Sequence, residues 1–293
     1  MISLSLQLFF LQSQMNKKFT LRIACRDEKG LIFKISRILL ENGANIERND
    51  EFVDQEKNLF FMRTQFTGII DPEAIKLPLT KVLPENAVIE IFANKVKNVV
   101  IFVTKEHHCL ADLLVRNHYH DLNFNILGVV GNRDNLQELT QKFDIPFHFV
   151  PSDGISREAH EAQLNEILKN YNFDFIVLAK FMRILTPEFV ATYRHKIINI
   201  HHSFLPAFIG ANPYRQAFER GVKMIGATSH FVTDDLDEGP IIFQDIAKIN
   251  HVPTAKELSI IGKDVEKKVL SNALKLVIDD KVFIQGNKTI IFD

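Results

Sequence analysis

Two short stretches of the sequence carry side chains that together could catalyse acyl transfer. The first, Asn199-Ile200-His201, ends an apolar run typical of a buried strand. Its amide and imidazole are two residues apart, so on an extended segment they point to the same side. The second stretch, residues 230–240, contains several carboxylates, among them Asp237. An amide, an imidazole and a carboxylate can stabilise an oxyanion and move protons, as attack on a carbonyl carbon requires.

The elements around these residues indicate an open α/β sheet. From residue 99 onward, apolar runs typical of buried parallel strands alternate with segments of helical periodicity. This alternation predicts a doubly wound, mostly parallel sheet with right-handed crossovers. Ligands bind at the carboxyl ends of the strands in such sheets. The predicted strand over 197–200 would therefore present Asn199 and His201 at the binding edge.

Residues 19–93 follow a different pattern. Strand-like and helical segments alternate in the order βαββαβ, the ferredoxin-like arrangement, with a weaker second helix over 75–83 that Pro78 is expected to interrupt. We therefore predict a small α/β domain over 19–93, a linker over 94–98 and the catalytic domain over 99–293. Residues 1–18 form an extension that we expect to be disordered.

The composition excludes several classes of protein. With 46% hydrophobic and 24% charged residues and a formal net charge of −1, the 293-residue chain has no basic footprint for nucleic acid. The apolar start, residues 1–14, is too short to cross a membrane and lacks the features of a signal peptide. Two cysteines, Cys25 and Cys109, provide no disulfide framework. We expect a cytoplasmic protein that contacts neither membrane nor nucleic acid.

Longer motifs make the chemistry more specific. Asn199, His201 and Asp237 resemble the Asn, His and Asp of the formyltransferase-fold enzymes that use 10-formyltetrahydrofolate, and residues 178–187 resemble their folate-cleft segment. The resemblance covers about residues 98–290. It implies that these three residues are catalytic, that no metal or bound cofactor is needed, and that the folate is the substrate. It also implies a folate slot formed by Phe181, Met182, Arg183, Ile184, Leu185, Val232, Thr233, Asp234 and Asp235.

Neighbouring residues receive supporting roles. We expect His202 to face away from His201, because adjacent strand residues face opposite ways. His230 matches a position of the same family and is assigned a structural role. Arg183 is unusual in an apolar run, which favours a ligand or a buried carboxylate as its partner. Cys109 follows His107 and His108, but consecutive residues rarely converge on one ion, so a metal site is not expected.

The turn after the first strand of the second domain favours water as the acceptor. Formyltransferases that modify a sugar-phosphate amine carry a loop rich in Gly and Ser here, whose N–H groups cradle the phosphate. The equivalent turn, residues 104–110, has no glycine, and Lys180 lies where those enzymes tend to carry glycine. We predict that Lys105, His107, His108 and Lys180 fill the acceptor pocket.

The resemblance is then to the deformylases of this family. It implies hydrolysis of 10-formyltetrahydrofolate to formate and tetrahydrofolate, which supplies formate and balances one-carbon folate pools for purine synthesis. Two alternatives remain: formyl transfer to an amine of the glycinamide ribonucleotide type, and a non-catalytic amino-acid sensor. NAD binding is disfavoured because no G-x-G-x-x-G motif follows a strand.

Residues 19–93 resemble an ACT domain, with Asp27, Gly30 and Leu31 in the first turn. The resemblance implies that this domain binds a small amino-acid effector, glycine or methionine, at an interface between copies, so that the chain forms a homo-oligomer. Fold alone does not give function, and a domain used only for assembly is nearly as well supported.

Overall fold

The structure is a computed structural model that describes residues 17–207, 213–252 and 254–293. The chain divides into two compact units, one that extends to Lys95 and one that begins at Val96. Within the described residues, no helix is both long enough and apolar enough to cross a membrane.

The first unit is a four-stranded antiparallel sheet against which two helices pack. The strand order in the sheet is β2-β3-β1-β4. Buried side chains from the central strands and both helices, such as Leu21, Ile35, Phe66 and Leu79, form its core. The elements follow the predicted βαββαβ order: β1 Lys17–Arg26, α1 Leu31–Glu41, β2 Asn45–Asp54, β3 Leu59–Gly68, α2 Pro72–Val82 and β4 Val88–Ala93.

Two details of the first unit differ from the sequence-based expectation. Lys17 and Lys18, which we assigned to the extension, already pair with β3, whereas residues 1–16 lie outside the described residues. Helix α2 is not interrupted at Pro78 but continues to Val82. Pro78 removes one backbone hydrogen bond, and the burial of Ile75 and Leu79 on either side of it offsets that loss.

The second unit contains a seven-stranded, mostly parallel sheet, so the predicted fold class is confirmed. The strand order is β11-β10-β9-β8-β5-β6-β7, and only β10 runs antiparallel to its neighbours. The elements are β5 Lys97–Val103, α3 His108–His118, β6 Phe124–Gly131, α4 Gln137–Gln141, β7 Phe147–Phe149, α5 Arg157–Leu168, β8 Phe175–Leu178, α6 Pro187–Thr192, β9 Ile197–His201, α7 Pro213–Arg220, β10 Met224–Phe231, β11 Ile241–Lys248, α8 Ala255–Ile278, β12 Val282–Gln285 and β13 Lys288–Ile291.

Both faces of this sheet are buried, which explains its continuous apolar strands. In β5, Val99 and Ile101 face a core shared with α3 and α8, whereas Val100 and Phe102 face a core shared with α5 and α6. The strand begins at Lys97, inside the predicted linker, because Lys97 is buried and its Nζ lies 3.0 Å from a carboxylate oxygen of Asp280.

The sheet order reverses beside β5. On one side β5 pairs with β6, the next strand in the sequence. On its other side β5 pairs with β8, the third strand after it. Crossovers on either side of such a point leave a crevice at the carboxyl ends of the strands. The fold therefore predicts a ligand site at the ends of β5, β8 and β9.

Candidate active site

A cavity of about 920 Å³ lies at this edge of the sheet. Thr104 follows β5, Lys180 follows β8 and His201 ends β9, and all three line the cavity. Met182 is held across these strands, since its N–H donates to Oγ1 of Thr104 at 2.9 Å. Its lining includes apolar residues such as Met182, Ile184 and Leu236, here called the apolar side, and polar residues such as His108, Lys180 and Glu266, here called the polar side.

The structure brings Asn199, His201 and Asp237 together in this cavity. β9 carries the first two residues, and β10, antiparallel beside it, leads into the loop that returns Asp237. Nδ1 of His201 lies 3.2 Å from Oδ2 of Asp237. Nε2 of His201 is buried and has no hydrogen-bond partner in the described part of the chain. That nitrogen is therefore available to a substrate.

A short loop fixes the position of Asp237. Its φ of 58° lies in the left-handed region, which is uncommon for a residue other than glycine. Gly239, two residues later, passes so close to β10 that an added Cβ would lie 1.8 Å from the carbonyl oxygen of Phe231. The N–H of Phe231 donates to the carbonyl of Pro240 at 2.9 Å. The loop is thereby held against the end of β10.

Asp237 lies near three histidines, and they lower the pKa of its carboxyl group. Burial alone would raise its pKa, but the hydrogen bond with His201 and the charges of His201, His230 and His202 outweigh burial and lower it. The carboxylate is therefore ionised at neutral pH. An ionised Asp237 accepts a hydrogen bond from Nδ1 of His201, which fixes that nitrogen as the donor.

His230 orients the amide of Asn199. Burial lowers the pKa of His230, so the ring is neutral at neutral pH. Its Nδ1 donates to the carbonyl of Phe231 at 2.9 Å, which leaves Nε2 as the acceptor for Nδ2 of Asn199 at 3.3 Å. One N–H of the Asn199 amide remains for a ligand in the cavity. We predicted a supporting role for His230, and the hydrogen bond that it accepts from Asn199 is the contact through which it would act.

His202 does not face away from His201, contrary to the expectation from strand alternation. β9 ends at His201, so His202 lies beyond the strand, and the two rings stack with centroids 5.0 Å apart. Burial, together with the positive charges of Lys180 and His201, lowers the pKa of His202 to about 4. His202 is therefore a neutral ring on the polar side of the cavity.

A buried cluster around Glu266 forms part of the polar side of the cavity. Nε2 of His108 and Nζ of Lys180 lie 2.7 and 3.1 Å from Oε2 of this carboxylate, and the hydroxyl of Tyr214 donates to Oε1 at 2.5 Å. Two of the residues that we predicted to fill the acceptor pocket, His108 and Lys180, thus meet there. Of the other two, Lys105 is exposed and lines the cavity, whereas His107 is exposed and does not line it.

Glu266 and Tyr214 are residues that the sequence analysis missed. Glu266 lies on the buried face of α8, between Val265 and Val269, and is 1% exposed. An acid on the apolar face of an amphipathic helix is the signal that could have identified it. Burial alone would raise its pKa, but its hydrogen bonds with His108 and Tyr214 and the charge of Lys180 lower it to about 2. It is an anion in this pocket.

The same cluster contains three potential metal ligands. The side-chain ligand atoms of His108, Cys109 and Glu266 lie within 4.8 Å of one another, although the sequence pointed to His107 rather than Glu266. Two features make these residues a poor fit for a metal ion. The ammonium of Lys180 already supplies a positive charge to Glu266. Burial also raises the pKa of Cys109, so that its sulfur is a thiol rather than the thiolate that a metal binds.

The apolar side of the cavity is formed by the two predicted folate segments. The cavity is lined by most of the residues that we assigned to the slot: Phe181, Met182, Arg183, Ile184, Leu185, Val232, Thr233 and Asp234. Asp235 is exposed and does not line it. The side chains of Met182, Ile184 and Leu236 are at least half exposed, at 61%, 50% and 58%. Such an apolar lining with few polar groups suits a flat heteroaromatic ring.

Arg183 does not pair with a buried carboxylate, so that part of the expectation is wrong. Its guanidinium donates to the carbonyls of Ser152, Ile155 and Ser156 at 2.9–3.1 Å. It therefore fixes the loop that leads into α5. Phe181 is also largely a core residue, since it is 7% exposed and contacts Phe102 edge to face.

In the first unit, the predicted effector residues lie in the turn before α1. Gly30 has a φ of 86° and precedes the helix, a conformation that glycine adopts at no steric cost. The N–H of Asp27 donates to the carbonyl of Asn58 at 2.9 Å. Leu31 is 2% exposed and belongs to the core, so its side chain is not accessible to a ligand.

The cavity lies at the carboxyl edge of a parallel sheet, and an amide, an imidazole and a carboxylate line it beside an apolar slot. This arrangement is typical of an enzyme of acyl transfer or hydrolysis. The chain belongs to the formyl transferase family, whose model matches residues 97–274, and an ACT domain model matches residues 19–82.

Relatives that share both units match most of the chain. Formyltetrahydrofolate deformylases of Escherichia coli and Haemophilus influenzae are 51% and 48% identical to it over 92% and 94% of its length, and 97% and 100% of theirs. The crystal structure of a formyltetrahydrofolate deformylase from Pseudomonas syringae pv. tomato superposes with a TM-score of 0.90, at 37% identity over 99% of both chains.

Proposed function

We propose that this chain hydrolyses 10-formyltetrahydrofolate to formate and tetrahydrofolate, and that Asn199, His201 and Asp237 carry the reaction. The relatives named above are formyltetrahydrofolate deformylases, and the chain is a hydrolase of that kind. For the three residues, one observation carries the proposal. Asp237 holds Nδ1 of His201, while Nε2 faces no protein partner within the described residues and His201 lines the cavity.

In this mechanism the water oxygen attacks the formyl carbon while Asp237, directly or through His201, takes a proton from it. The free N–H of Asn199 and the imidazolium of His201 stabilise the oxyanion, each by about 3–4 kcal/mol. The intermediate then collapses: the bond between the formyl carbon and N10 breaks, N10 takes a proton from His201, and the formic acid released gives its proton to solvent to become formate. Every step uses groups of this chain, water and the substrate.

The binding side follows from the two halves of the cavity. We place the heteroaromatic ring of the folate on the apolar side, against Met182, Ile184 and Val232. Lys105, His108 and Lys180 belong to the polar part of the lining, and we place the entry of an amine acceptor there. Transfer to an amine of the glycinamide ribonucleotide type is therefore the weaker alternative. A cavity lined by these three side chains also argues against a sensor without activity.

Further parts of the proposal concern the whole chain. The ACT domain match supports a small amino-acid effector, glycine or methionine, bound near Asp27 and Gly30, and assembly into a homo-oligomer. We place the enzyme in the cytoplasm, where its two buried cysteines stay reduced.

The direct test is release of formate from 10-formyltetrahydrofolate with no acceptor present. We expect stoichiometric formate from the wild type, and a loss of about 10²–10⁴-fold in kcat for His201→Ala because its proton transfer is gone. His251→Ala, at an exposed position outside the cavity lining, is the matched control. No formate from the wild type would refute the proposed function, and full activity of folded His201→Ala would refute the role of that residue.

A further inference from the structure

The cluster of His108, Lys180, Tyr214 and Glu266, here called the acceptor-side cluster, draws one residue from each of four segments of the second unit. His108 begins α3, Lys180 follows β8, Tyr214 is on α7 and Glu266 is on α8. Both charges are almost fully buried, since the side chains of Lys180 and Glu266 are 9% and 1% exposed. Burying an ion pair costs desolvation that the pair often does not recover, so the cluster is not explained by stability alone.

The backbone conformation of Lys180 also indicates a functional role for the cluster. Its φ is 63°, a left-handed conformation that glycine adopts freely and that a Cβ makes costly. Strain of this kind persists only where the surroundings determine it, and it concentrates at functional sites. The ion pair with Glu266 holds the Lys180 side chain over the polar side of the cavity in spite of that strain.

A glycine on α8 makes room for the fourth member. A Cβ at Gly262 would lie 2.1 Å from the ring of Tyr214, so any other residue there would displace the ring. Glycine inside a helix is unfavourable relative to alanine. Gly262 is one turn before Glu266, and the space it leaves lets the hydroxyl of Tyr214 reach the carboxylate.

The cluster also borders the catalytic histidine. Lys180 and His201 line the same cavity, and the ring of His202, whose pKa the charge of Lys180 lowers, stacks on the ring of His201. We place the approach of the nucleophile on this polar side, beside the amino group of Lys180. Held by its ion pair with Glu266, this amino group fills the place of an amine acceptor.

We propose that Glu266 and Tyr214 are positioning residues that determine acceptor specificity. They hold Lys180 and His108 across the acceptor side, so that water reaches the formyl carbon and a primary amine does not. The inference rests on the proposed hydrolysis and adds the residues that decide which nucleophile is used. It requires that opening the cluster convert part of the hydrolysis into transfer.

That conversion is a balanced reaction. The amine nitrogen forms the new bond to the formyl carbon, the bond from that carbon to N10 breaks, and the proton lost by the amine passes through Asp237 and His201 to N10. The products are a formamide and tetrahydrofolate, and no other reactant is needed.

The experiment uses the full chain, 10-formyltetrahydrofolate and glycinamide as a small amine probe, with both formate and N-formylglycinamide quantified by mass spectrometry. Lys180→Gly relieves the backbone strain and opens the pocket. The double variant Lys180→Gly with Glu266→Gln does so without leaving an unpaired buried anion. We expect the ratio of N-formylglycinamide to formate to rise at least about tenfold over the wild type in both, since admitting an excluded substrate commonly changes selectivity by this much or more.

Asp280→Asn is the matched control, because Asp280 forms a separate buried ion pair with Lys97, and neither residue lines the cavity. Its product ratio should stay at the wild-type value, as a merely structural effect would not change the choice of nucleophile. Circular dichroism confirms the fold of each variant. If the double variant is folded, releases formate and keeps the wild-type product ratio, the inference is overturned. If the wild type releases no formate, the proposed function itself fails, and the two failures are thereby distinguished.

Discussion

Two residues of the proposed catalytic set, His201 and Asn199, each have one N–H or nitrogen committed to the protein and one left for a substrate. His201 gives Nδ1 to Asp237 and keeps Nε2, and Asn199 gives one N–H to His230 and keeps the other. Groups held in this way need no reorganisation as charge develops in the transition state. The sequence predicted the identity of these residues, but the partner of Asn199 depends on the register of β9 with β10, which places it opposite His230.

Asp237→Asn tests the charge of the carboxylate while keeping its shape. We expect kcat to fall by about 10²–10⁴-fold because the amide neither stabilises the imidazolium nor accepts a proton. The measurement is steady-state formate release together with thermal unfolding. Glu238→Gln, an exposed neighbour in the same loop, should keep wild-type kcat. Equal kcat values for the two variants would remove Asp237 from the mechanism.

The pH dependence of stability reports on Glu266. Its pKa is about 2 in the folded chain against an ordinary value of 4.5, so its contribution to stability is present above about 4.5 and is lost as the pH falls towards 2. Glu266→Gln leaves Lys180 without its counter-ion and should be less stable than the wild type at neutral pH. Denaturant unfolding at several pH values should show this difference shrinking as the pH falls through that window. A difference that is independent of pH would contradict the assignment.

At the scale of elements, the sequence predicts single strands and helices well. It predicts poorly the contacts that form where several elements meet. The strand predicted over 197–200, which extends to His201 in the structure, and the βαββαβ order follow from local periodicity. The acceptor-side cluster does not, because Glu266 is separated from His108 by 158 residues and its surroundings exist only after folding. The end of β9 is a smaller case, since strand alternation was applied one residue too far and misplaced His202.

The loop after β10 gives a prediction at this scale. In Gly239→Ala the new Cβ would meet the Phe231 carbonyl at 1.8 Å, so the loop must shift and take Asp237 with it. A displacement of about 1 Å at a catalytic group can cost about 10²-fold in rate. We expect such a loss in kcat together with reduced stability.

Gly286→Ala is the matched control for that variant. Gly286 also has a positive φ, of 58°, but an added Cβ there would meet nothing within 4 Å. This variant should lose stability through backbone strain and keep its kcat. If Gly239→Ala behaves in the same way, the loop does not fix the position of Asp237.

For the whole molecule, the division into an ACT-like unit and a formyltransferase-type unit was visible in the sequence because the order of elements changes near residue 95. The difficult positions were junctions. Lys97 was assigned to a linker although its partner Asp280 makes it part of the second unit, a contact across 183 residues that local patterns do not reveal.

Effector binding is the prediction that belongs to the whole chain. Isothermal titration calorimetry of the full-length protein with glycine and with methionine should show saturable heat for one of them, because Gly30 is exposed and no side chain caps the start of α1. The same amino acid should change the rate of formate release. If neither amino acid binds, the ACT-like unit is not a sensor for these ligands.

Competition between two acceptors tests the central claim, that water receives the formyl group. The wild-type protein is supplied with 10-formyltetrahydrofolate and glycinamide ribonucleotide together, and formate and the formylated ribonucleotide are both quantified. Because Lys180 and His108, held by Glu266, occupy the acceptor side of the cavity, we predict one formate for each tetrahydrofolate formed and negligible formylated amine. Stoichiometric formylation of the ribonucleotide, with little free formate, would contradict it.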